Sequence, residues 1–385
     1  MWLSVVFVLL LLSYVLLVLW YRWAWRQLPE VTTPRFEPTT SVTVLVPARN
    51  ESRNIEACLQ SLLAQDYPIY LLQIIVIDDA SEDDTAEKVA AMAARHPHVS
   101  CLRMEPDAAV QSHKKRAIEK GIAAATGELI VCTDADCSMG PHWLSALVFA
   151  KEQRHLQFVA APVRYHPGHS LLSVFQTLDF TTLQGITGAS VSKRFHTMCN
   201  GANIAYTKAA FEEVGGFAGI DQLPTGDDML LMHKIFKRYP QGVQWLKSKE
   251  AVVSTQACSS WRDFFQQRIR LASKAAFYDD KRIFYVLLLV YLFNVMFPVM
   301  AVAGFFLPGT WWLLLIGLVA KTLVELFFLA PVAAFFGDTP LLRWFPFLQL
   351  HHIIYTIIAG WLGRFGQYEW KGRVIQKPSA LVGQH

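Results

Sequence analysis

Charge is scarce in this chain. Only 17% of its 385 residues are Asp, Glu, Lys or Arg, against 53% hydrophobic, a balance too apolar for an ordinary water-soluble enzyme and one that places part of the chain in a bilayer. Cysteine is sparse and scattered. Cys58, Cys101, Cys132, Cys137, Cys199 and Cys258 form no Cys-x-x-Cys pair and no zinc ligand set, so free thiols in a reducing compartment are expected. A net charge of +4 with dispersed basic residues argues against a nucleic-acid partner. No Gly-x-Gly-x-x-Gly follows the first apolar strand and no Gly-x-x-x-x-Gly-Lys-Ser/Thr is present, which removes the dinucleotide and P-loop ways of holding phosphate. Repeats and low-complexity stretches are lacking as well.

Long apolar runs are present instead. Trp2 to Trp20 contain no charged side chain, enough to cross about 30 Å of hydrocarbon as a helix. There is no basic n-region, and Tyr21-Arg22-Trp23-Ala24-Trp25-Arg26 stands where a cleavage site would need small residues, so residues 1–22 read as an uncleaved anchor. Arg22, Arg26 and Arg35 after it place the N-terminus outside and the following region in the cytoplasm. Residues 283–307 and 311–336, separated by a Leu-Pro-Gly-Thr turn, read as a transmembrane hairpin over 283–336. The aromatic and cationic mixture ahead of it marks 261–282 as an interfacial amphipathic segment. Residues 337–385 hold a third hydrophobic or interfacial stretch and a basic cytoplasmic tail with Lys371, Arg373 and Lys377; a full crossing by 345–365 would put that tail outside, which the charge distribution opposes, so 345–365 reads as interfacial or re-entrant. Lys321 and Glu325 lie four apart inside an apolar span, where they either pair with each other or line an acceptor path.

Between these runs, residues 38–260 read as one α/β domain. "SVTVLVPARNE", "LQIIVIDDASEDDT", a short strand near Val99–Leu102 and "GELIVCTDADCS" are buried strands alternating with helices from Ser52, through Ala90–Ala94 with Asp84 or Ser81 as cap, and over Ser112–Ala125. That alternation predicts βαβ units and a parallel sheet with helices on both faces. Ligands of such sheets gather beyond the carboxyl ends of the strands. Here three of those ends carry Arg49-Asn50-Glu51, Asp78-Asp79 and Asp134-Ala135-Asp136. Two carboxylates repel phosphate unless a divalent cation lies between, and Mg²⁺ takes one or two protein carboxylates plus phosphate oxygens. Asp134 and Asp136 suit that role, and Lys114, Lys115 or Arg116 offer further positive charge. A calcium loop does not fit, because Gly140 falls one place late and Ser145 stands where Glu is needed.

With these residues in view, the chain resembles the family 2 glycosyltransferases, membrane-attached enzymes of the GT-A fold that move a sugar from a nucleoside diphosphate to an acceptor. "VLVPARNE", "VIDDASEDDT", "HKKRAIEKGIAAATGELIVCTDAD", "CNGANIAYTKAAFEEVGGF" and "TGDDMLLMHKI" carry the resemblance, in the family's order, from about Val42 to Leu271. It implies an α/β GT-A domain, a Rossmann-like mixed sheet flanked by N- and C-terminal transmembrane helices. It implies that Pro47, Ala48, Arg49 and Glu51 line a nucleoside pocket, that Asp79 faces the base and that Lys114 lies near the diphosphate. Asp136, with Asp134 beside it, would hold Mg²⁺ or Mn²⁺; Asp228 would be the general base and Asp227 a neighbouring acceptor contact. Gln267 and Arg270 match a family Gln-x-x-Arg-Trp segment, where Leu271 replaces the Trp, and Arg268 or Arg270 would meet the diphosphate or acceptor.

An indole offers a flat face for stacking a sugar ring, which Leu does not, so Leu271 favours transfer of one or a few sugars over polymerisation. The expectation is an inverting, metal-dependent hexosyltransferase at the cytoplasmic face, using a UDP-sugar or another nucleotide sugar and a lipid or lipid-linked acceptor. The alternatives are a processive polysaccharide synthase and an inactive membrane-anchored nucleotide-sugar binder. Taken without the resemblance, Asp227 and Asp228 ahead of an apolar helix also suit simple N-terminal capping.

Overall fold

The computed structural model describes residues 2–106, 112–221, 223, 226–273, 280–365, 368–370 and 373–375; Lys371 and Lys377 of the basic tail lie outside them. The first apolar run is one helix, α1 (Trp2–Gln27). Strand and helix then alternate as β1 (Val42–Ala48), α2 (Ile55–Leu63), β2 (Leu72–Asp78), α3 (Thr85–Ala93), β3 (Val99–Arg103), α4 (His113–Ala124) and β4 (Leu129–Cys132). They are followed by β5 (Ser138–Met139), α5 (Trp143–Arg154), β6 (Phe158–Ala160), β7 (Val163–Tyr165), α6 (Leu171–Ser192), β8 (Ile204–Thr207), α7 (Lys208–Glu213) and α8 (Met229–Arg238). The chain ends its regular structure with β9 (Val243–Trp245), β10 (Val253–Thr255), α9 (Trp261–Ser273), α10 (Lys281–Gly304), α11 (Thr310–Phe336) and α12 (Phe345–Phe365), then a short β hairpin.

Two units result, residues 28–166 with 190–256, and residues 1–27, 167–189 and 257–385. The expected continuous block of 38–260 is therefore interrupted, because most of α6 belongs with the apolar helices. Its buried polar residues explain why: Gln176 Nε2 donates to the Cys258 carbonyl at 2.9 Å and Thr181 Oγ1 donates to Asp338 Oδ2 at 3.0 Å. Partners so distant in sequence leave no periodic signal.

In the α/β unit a seven-stranded sheet has the order β3-β2-β1-β4-β8-β6-β9. β1 pairs in parallel with β2 and β4, and β2 with β3, whereas β8 runs antiparallel to β4 and β6. This is the mixed sheet of the expected fold. Val44, Leu45 and Val46 are wholly buried, as a strand covered on both faces requires. The chain enters β4 by a close approach at Gly127, whose N–H donates to Thr43 Oγ1 at 2.9 Å and where an added Cβ would lie 2.5 Å from the Thr43 nitrogen. Sequence order reverses between β1 and β4, the switch point at which open α/β sheets bind ligands. A smaller sheet, β5-β10-β7, follows the end of β4. At α3, Asp84 occupies the cap position but its side chain makes no capping bond; Asp83 Oδ1 instead accepts from the Thr85 N–H at 3.1 Å.

Among the described residues the second unit contains four helices long and apolar enough to cross a membrane, one of them over Thr339–Leu362, where the sequence suggested an interfacial or re-entrant segment. α1 packs on α10 and α11; Phe7 meets Phe297 edge-on at 5.7 Å, and Gly317 leaves room for the same Phe7 ring. Lys321 and Glu325 pair at 2.7 Å, the simpler of the two expectations. Gln349 of α12 completes the pair, its Oε1 accepting from Lys321 at 2.8 Å and its Nε2 donating to Glu325 at 2.6 Å, while the Tyr14 hydroxyl of α1 donates to Glu325. Removing one member of a buried pair strands the other, at about 3–5 kcal/mol. Lys321→Met is therefore expected to lower the thermal midpoint of the detergent-solubilised protein sharply, and Lys321→Met with Glu325→Leu to recover most of the loss; equal losses in both variants would refute the pairing as the source of stability.

Candidate active site

The loops after β1 and β2 are stitched together first. The Asp79 N–H donates to the Ala48 carbonyl at 2.8 Å, extending the ladder past Pro47 and Ala48. Arg49 then spans the gap, its Nη1 donating to the Asp79 and Ala80 carbonyls at 2.7 and 2.8 Å and its Nη2 meeting Glu82 at 3.1 Å. The Glu51 N–H donates to Thr85 Oγ1 at 2.8 Å, and its carboxylate accepts from Asn54 at 2.8 Å. Asn50 and Ala80 take positive φ, 52° and 53°. For Ala80 this is an unusual backbone, of the kind that gathers at functional loops. Asp79 turns its nearly buried carboxylate to His113 at 3.7 Å. The five residues expected around a nucleoside thus share one rim, and Arg49 shapes it mainly through backbone carbonyls.

The second cluster is built on one ammonium. Lys114, in the first turn of α4, places Nζ 2.7 Å from Asp134 Oδ1, past the end of β4, and 3.5 Å from Asp227 Oδ2, ahead of α8. Burial works against the charged lysine, but Asp134 and Asp227 outweigh it and hold its pKa well above the usual lysine value. Asp134 of the Asp-x-Asp loop and Asp227 of the Asp227-Asp228 pair therefore meet at one ammonium. Gly226, at φ +86°, turns the chain into that pair. Asp228 accepts from the Gly201 N–H at 3.0 Å and from the Met229 N–H at 2.8 Å, so it does cap α8. A carboxylate has about four acceptor positions, and capping leaves two for another donor. Gly201 was not singled out from the sequence; a Cβ there would sit 3.4 Å from both Asp228 and Lys114 Nζ.

Asp136 has a different setting. Its Oδ2 accepts from Thr255 Oγ1 of β10 at 3.2 Å, and Cys137 Sγ lies 3.6 Å from Oδ1. These are long contacts. The described residues hold no group of three or more His, Cys, Asp or Glu that would cage an ion, but Mg²⁺ characteristically keeps only one or two protein carboxylates and fills its shell with water and phosphate oxygens. An all-oxygen pair of this kind fits Mg²⁺ or Mn²⁺ chemistry.

Two neighbouring expectations are corrected. Lys115 does not face this cleft; its Nζ is buried and donates to the Ile220 and Leu223 carbonyls at 2.5 and 2.7 Å. Arg268, expected at the diphosphate or acceptor, is buried in the helical unit 2.5 Å from Asp179, which also accepts from Tyr355 at 2.5 Å. A guanidinium needs a carboxylate when buried, and Asp179 on α6 supplies it. Gln267 and Arg270 are half-buried on the same helix, α9.

Residues 43–215 match the model of the family described as Glycosyl transferase family 2. Glycosyltransferase AglE of Haloferax volcanii is 26% identical over 188 residues, covering 49% of this chain and 59% of that protein. The dolichyl-phosphate beta-glucosyltransferase ALG5C of Trichomonas vaginalis is 35% identical over 114 residues, 28% of this chain and 32% of that protein. The chain spans about half the length of the curated relatives it matches. Among solved structures, the mannosyltransferase PcManGT of Pyrobaculum calidifontis, determined with GDP-Man and Mn2+, covers 93% of this chain and 98% of its own at a TM-score of 0.60 and 21% identity. That likeness is one of fold.

The thiols around the cleft are inert by environment. Burial, then the charges of Asp136 and Asp134, push Cys58 up to about 12, and burial pushes Cys132 up to about 12 and Cys137 well above the usual thiol value. A raised folded pKa means stability fully present below the unfolded thiol value of about 8.5 and lost as pH climbs toward the folded one. Ellman's reagent at pH 8 is accordingly expected to leave Cys58, Cys132 and Cys137 unlabelled in the native protein and to label all three in denaturant; rapid native labelling of any of them would contradict this packing.

Proposed function

Because residues 43–215 of this chain belong to Glycosyl transferase family 2, we propose that it transfers a hexosyl group from a nucleoside diphosphate sugar to a lipid or lipid-linked acceptor, with inversion and with a divalent cation. The observation that carries the reading is the single Lys114 ammonium within 2.7 Å of Asp134 and 3.5 Å of Asp227. It joins the side that would receive the diphosphate to the side that would receive the acceptor.

In this reading the acceptor hydroxyl attacks the anomeric carbon, the bond from that carbon to the diphosphate oxygen breaks, and the diphosphate departs with the electron pair. Asp228, oriented by the Gly201 and Met229 amides, takes the hydroxyl proton through an unused acceptor position. Asp136, with Asp134, would hold Mg²⁺ or Mn²⁺, whose charge neutralises the leaving diphosphate when bound. Lys114 stays protonated beside that group and moves no proton. One base on one face and no protein nucleophile imply inversion at the anomeric carbon, by the geometry that distinguishes inverting from retaining glycosidases. Pro47, Ala48, Arg49, Glu51 and Asp79 form the nucleoside rim. Gln267 and Arg270 are proposed to meet the diphosphate or acceptor.

The lipid acceptor is supported by four helices able to cross a membrane and by the dolichyl-phosphate named in the Trichomonas vaginalis relative. Leu271, rather than an indole, supports a single or short transfer over polymerisation. A cytoplasmic face for the α/β unit is supported by Arg22, Arg26 and Arg35 after the first apolar run.

The test incubates purified protein and membrane lipids with a panel of radiolabelled UDP- and GDP-sugars, with Mg²⁺, Mn²⁺ or chelator. A labelled lipid is expected, abolished by chelator. Asp228→Asn is expected to lower turnover by about 10²–10⁴-fold with donor binding retained. Full turnover in that variant would end the assignment of the base; a long product ladder would turn the reading to a synthase.

A further inference from the structure

α4 carries two lysines in succession, and their ammonium groups do opposite things. Consecutive residues of a helix point about 100° apart, so when Lys114 faces the acid cluster its neighbour faces elsewhere. Lys115 is 2% exposed. A buried ammonium is unfavourable unless its hydrogen-bond donors are used, and here they are spent on the backbone: Ile220 O at 2.5 Å and Leu223 O at 2.7 Å. Glu119, one helical turn on, accepts the Phe217 N–H. From the other side Lys234 of α8 donates to the Gly216 and Ala218 carbonyls at 2.6 and 2.9 Å. The peptide groups of Gly216, Phe217, Ala218, Ile220 and Leu223 are thus held by side chains of α4 and α8, and in the sequence they precede Gly226, Asp227 and Asp228.

We propose that Lys115 is a positioning residue for the acid pair: by holding the carbonyls of Ile220 and Leu223 to the same helix that presents Lys114, it fixes the distance between the Lys114 ammonium and Asp227-Asp228. Backbone carbonyls offer no sequence signal, which is why Lys115 reads from the sequence as one more phosphate-facing cation. The consequence is a division of labour along one helical turn. Lys114 meets the charge of the site, and Lys115 sets where the acceptor-side carboxylates stand. Because carbonyls are the partners, the residue types at 220 and 223 matter little, whereas the length and charge of the side chain at 115 matter a great deal.

The inference rests on the glycosyltransfer reading for its effect on turnover, but not for the clamp itself. Lys115→Met, Lys115→Arg and the unaltered full chain are compared by hydrogen–deuterium exchange over residues 216–221, by nucleotide-sugar affinity and by turnover. In Lys115→Met exchange over that segment is expected to quicken at least about ten-fold, and turnover to fall by about ten- to hundred-fold, as a displaced catalytic group does, with donor affinity unchanged. Lys115→Arg, which keeps charge and donors, is expected to restore most of both. If Lys115→Met does not fold, Lys115→Gln replaces it under the same criteria. Unchanged exchange overturns the clamp. Faster exchange with unchanged turnover, or a turnover loss matched by loss of donor affinity and of global stability, overturns the positioning role. An unaltered chain that turns over none of the nucleotide sugars sinks the functional reading alone, since exchange still decides the clamp.

Discussion

The acid cluster of the α/β unit depends on one half-buried cation between two acidic loops. Without Lys114, the carboxylates of Asp134 and Asp227 would face each other across a cleft from which water is partly excluded, and like charges at close range disfavour the ionised form. The lysine removes that conflict, and burial strengthens each attraction it makes. Its position follows from the topology. Parallel strands β1 and β4 end side by side at the switch point, α4 feeds β4 through the close approach at Gly127, and the first turn of α4 therefore lies over the strand end that carries Asp134. In the proposed reading the arrangement would suit a group that is itself both anionic and cation-bound, because an ion at Asp136 and a diphosphate at Lys114 would alter the charge of the site in opposite directions.

Much of this was legible in the amino-acid sequence, and for a definite reason. A strand covered on both faces must be a continuous apolar run, so β1, β2 and β4 announced themselves, and the polar residues that close each run had to fall at one sheet edge. Residues such as Arg49, Asp79, Asp134 and Asp136 were found that way. What remained hidden was held by single long-range contacts. The assignment of α6 to the helical unit rests on Gln176, Asp179 and Thr181 meeting partners far along the chain. The fates of Lys115 and Arg268 hid for the same reason: a cation in the sequence does not say whether it will meet a ligand, a carbonyl or a carboxylate. Gly201 could not be picked out because it acts through its N–H and through having no side chain. The short strands β6, β8 and β9, three or four residues each, carry too little pattern to show that the sheet turns antiparallel.

The helical unit solves a different problem with similar means. Lys321, Glu325 and Gln349 satisfy one another while buried between the helices, and Tyr14 ties the group to α1. A second set, Asp179, Arg268 and Tyr355, joins α6, α9 and α12. Each set links helices that otherwise meet mostly through apolar side chains, which are weakly selective. Since lipid tails are as apolar as leucine, polar contacts of this kind and close-packed small residues are what fix one helix arrangement over another in a bilayer. Arg268 thus secures α9, the helix that carries Gln267 and Arg270. Its own charge is consumed in doing so.

Asp228 brings these themes together. Its two amide bonds fit a helix cap, and capping alone would account for a carboxylate at this position. Capping does not account for Asp227 beside it, for a left-handed glycine before it, or for an ammonium placed to compensate the pair. A cap needs one acceptor and gains nothing from a second acid that must itself be neutralised. In the proposed reading the two roles are one: the amides of Gly201 and Met229 remove the side chain's freedom to rotate, so that an acceptor hydroxyl meets a carboxylate already oriented. A base fixed in this way avoids the entropic cost of finding its geometry in the transition state. The same bonds that make Asp228 look structural are thus what the proposed chemistry asks of it.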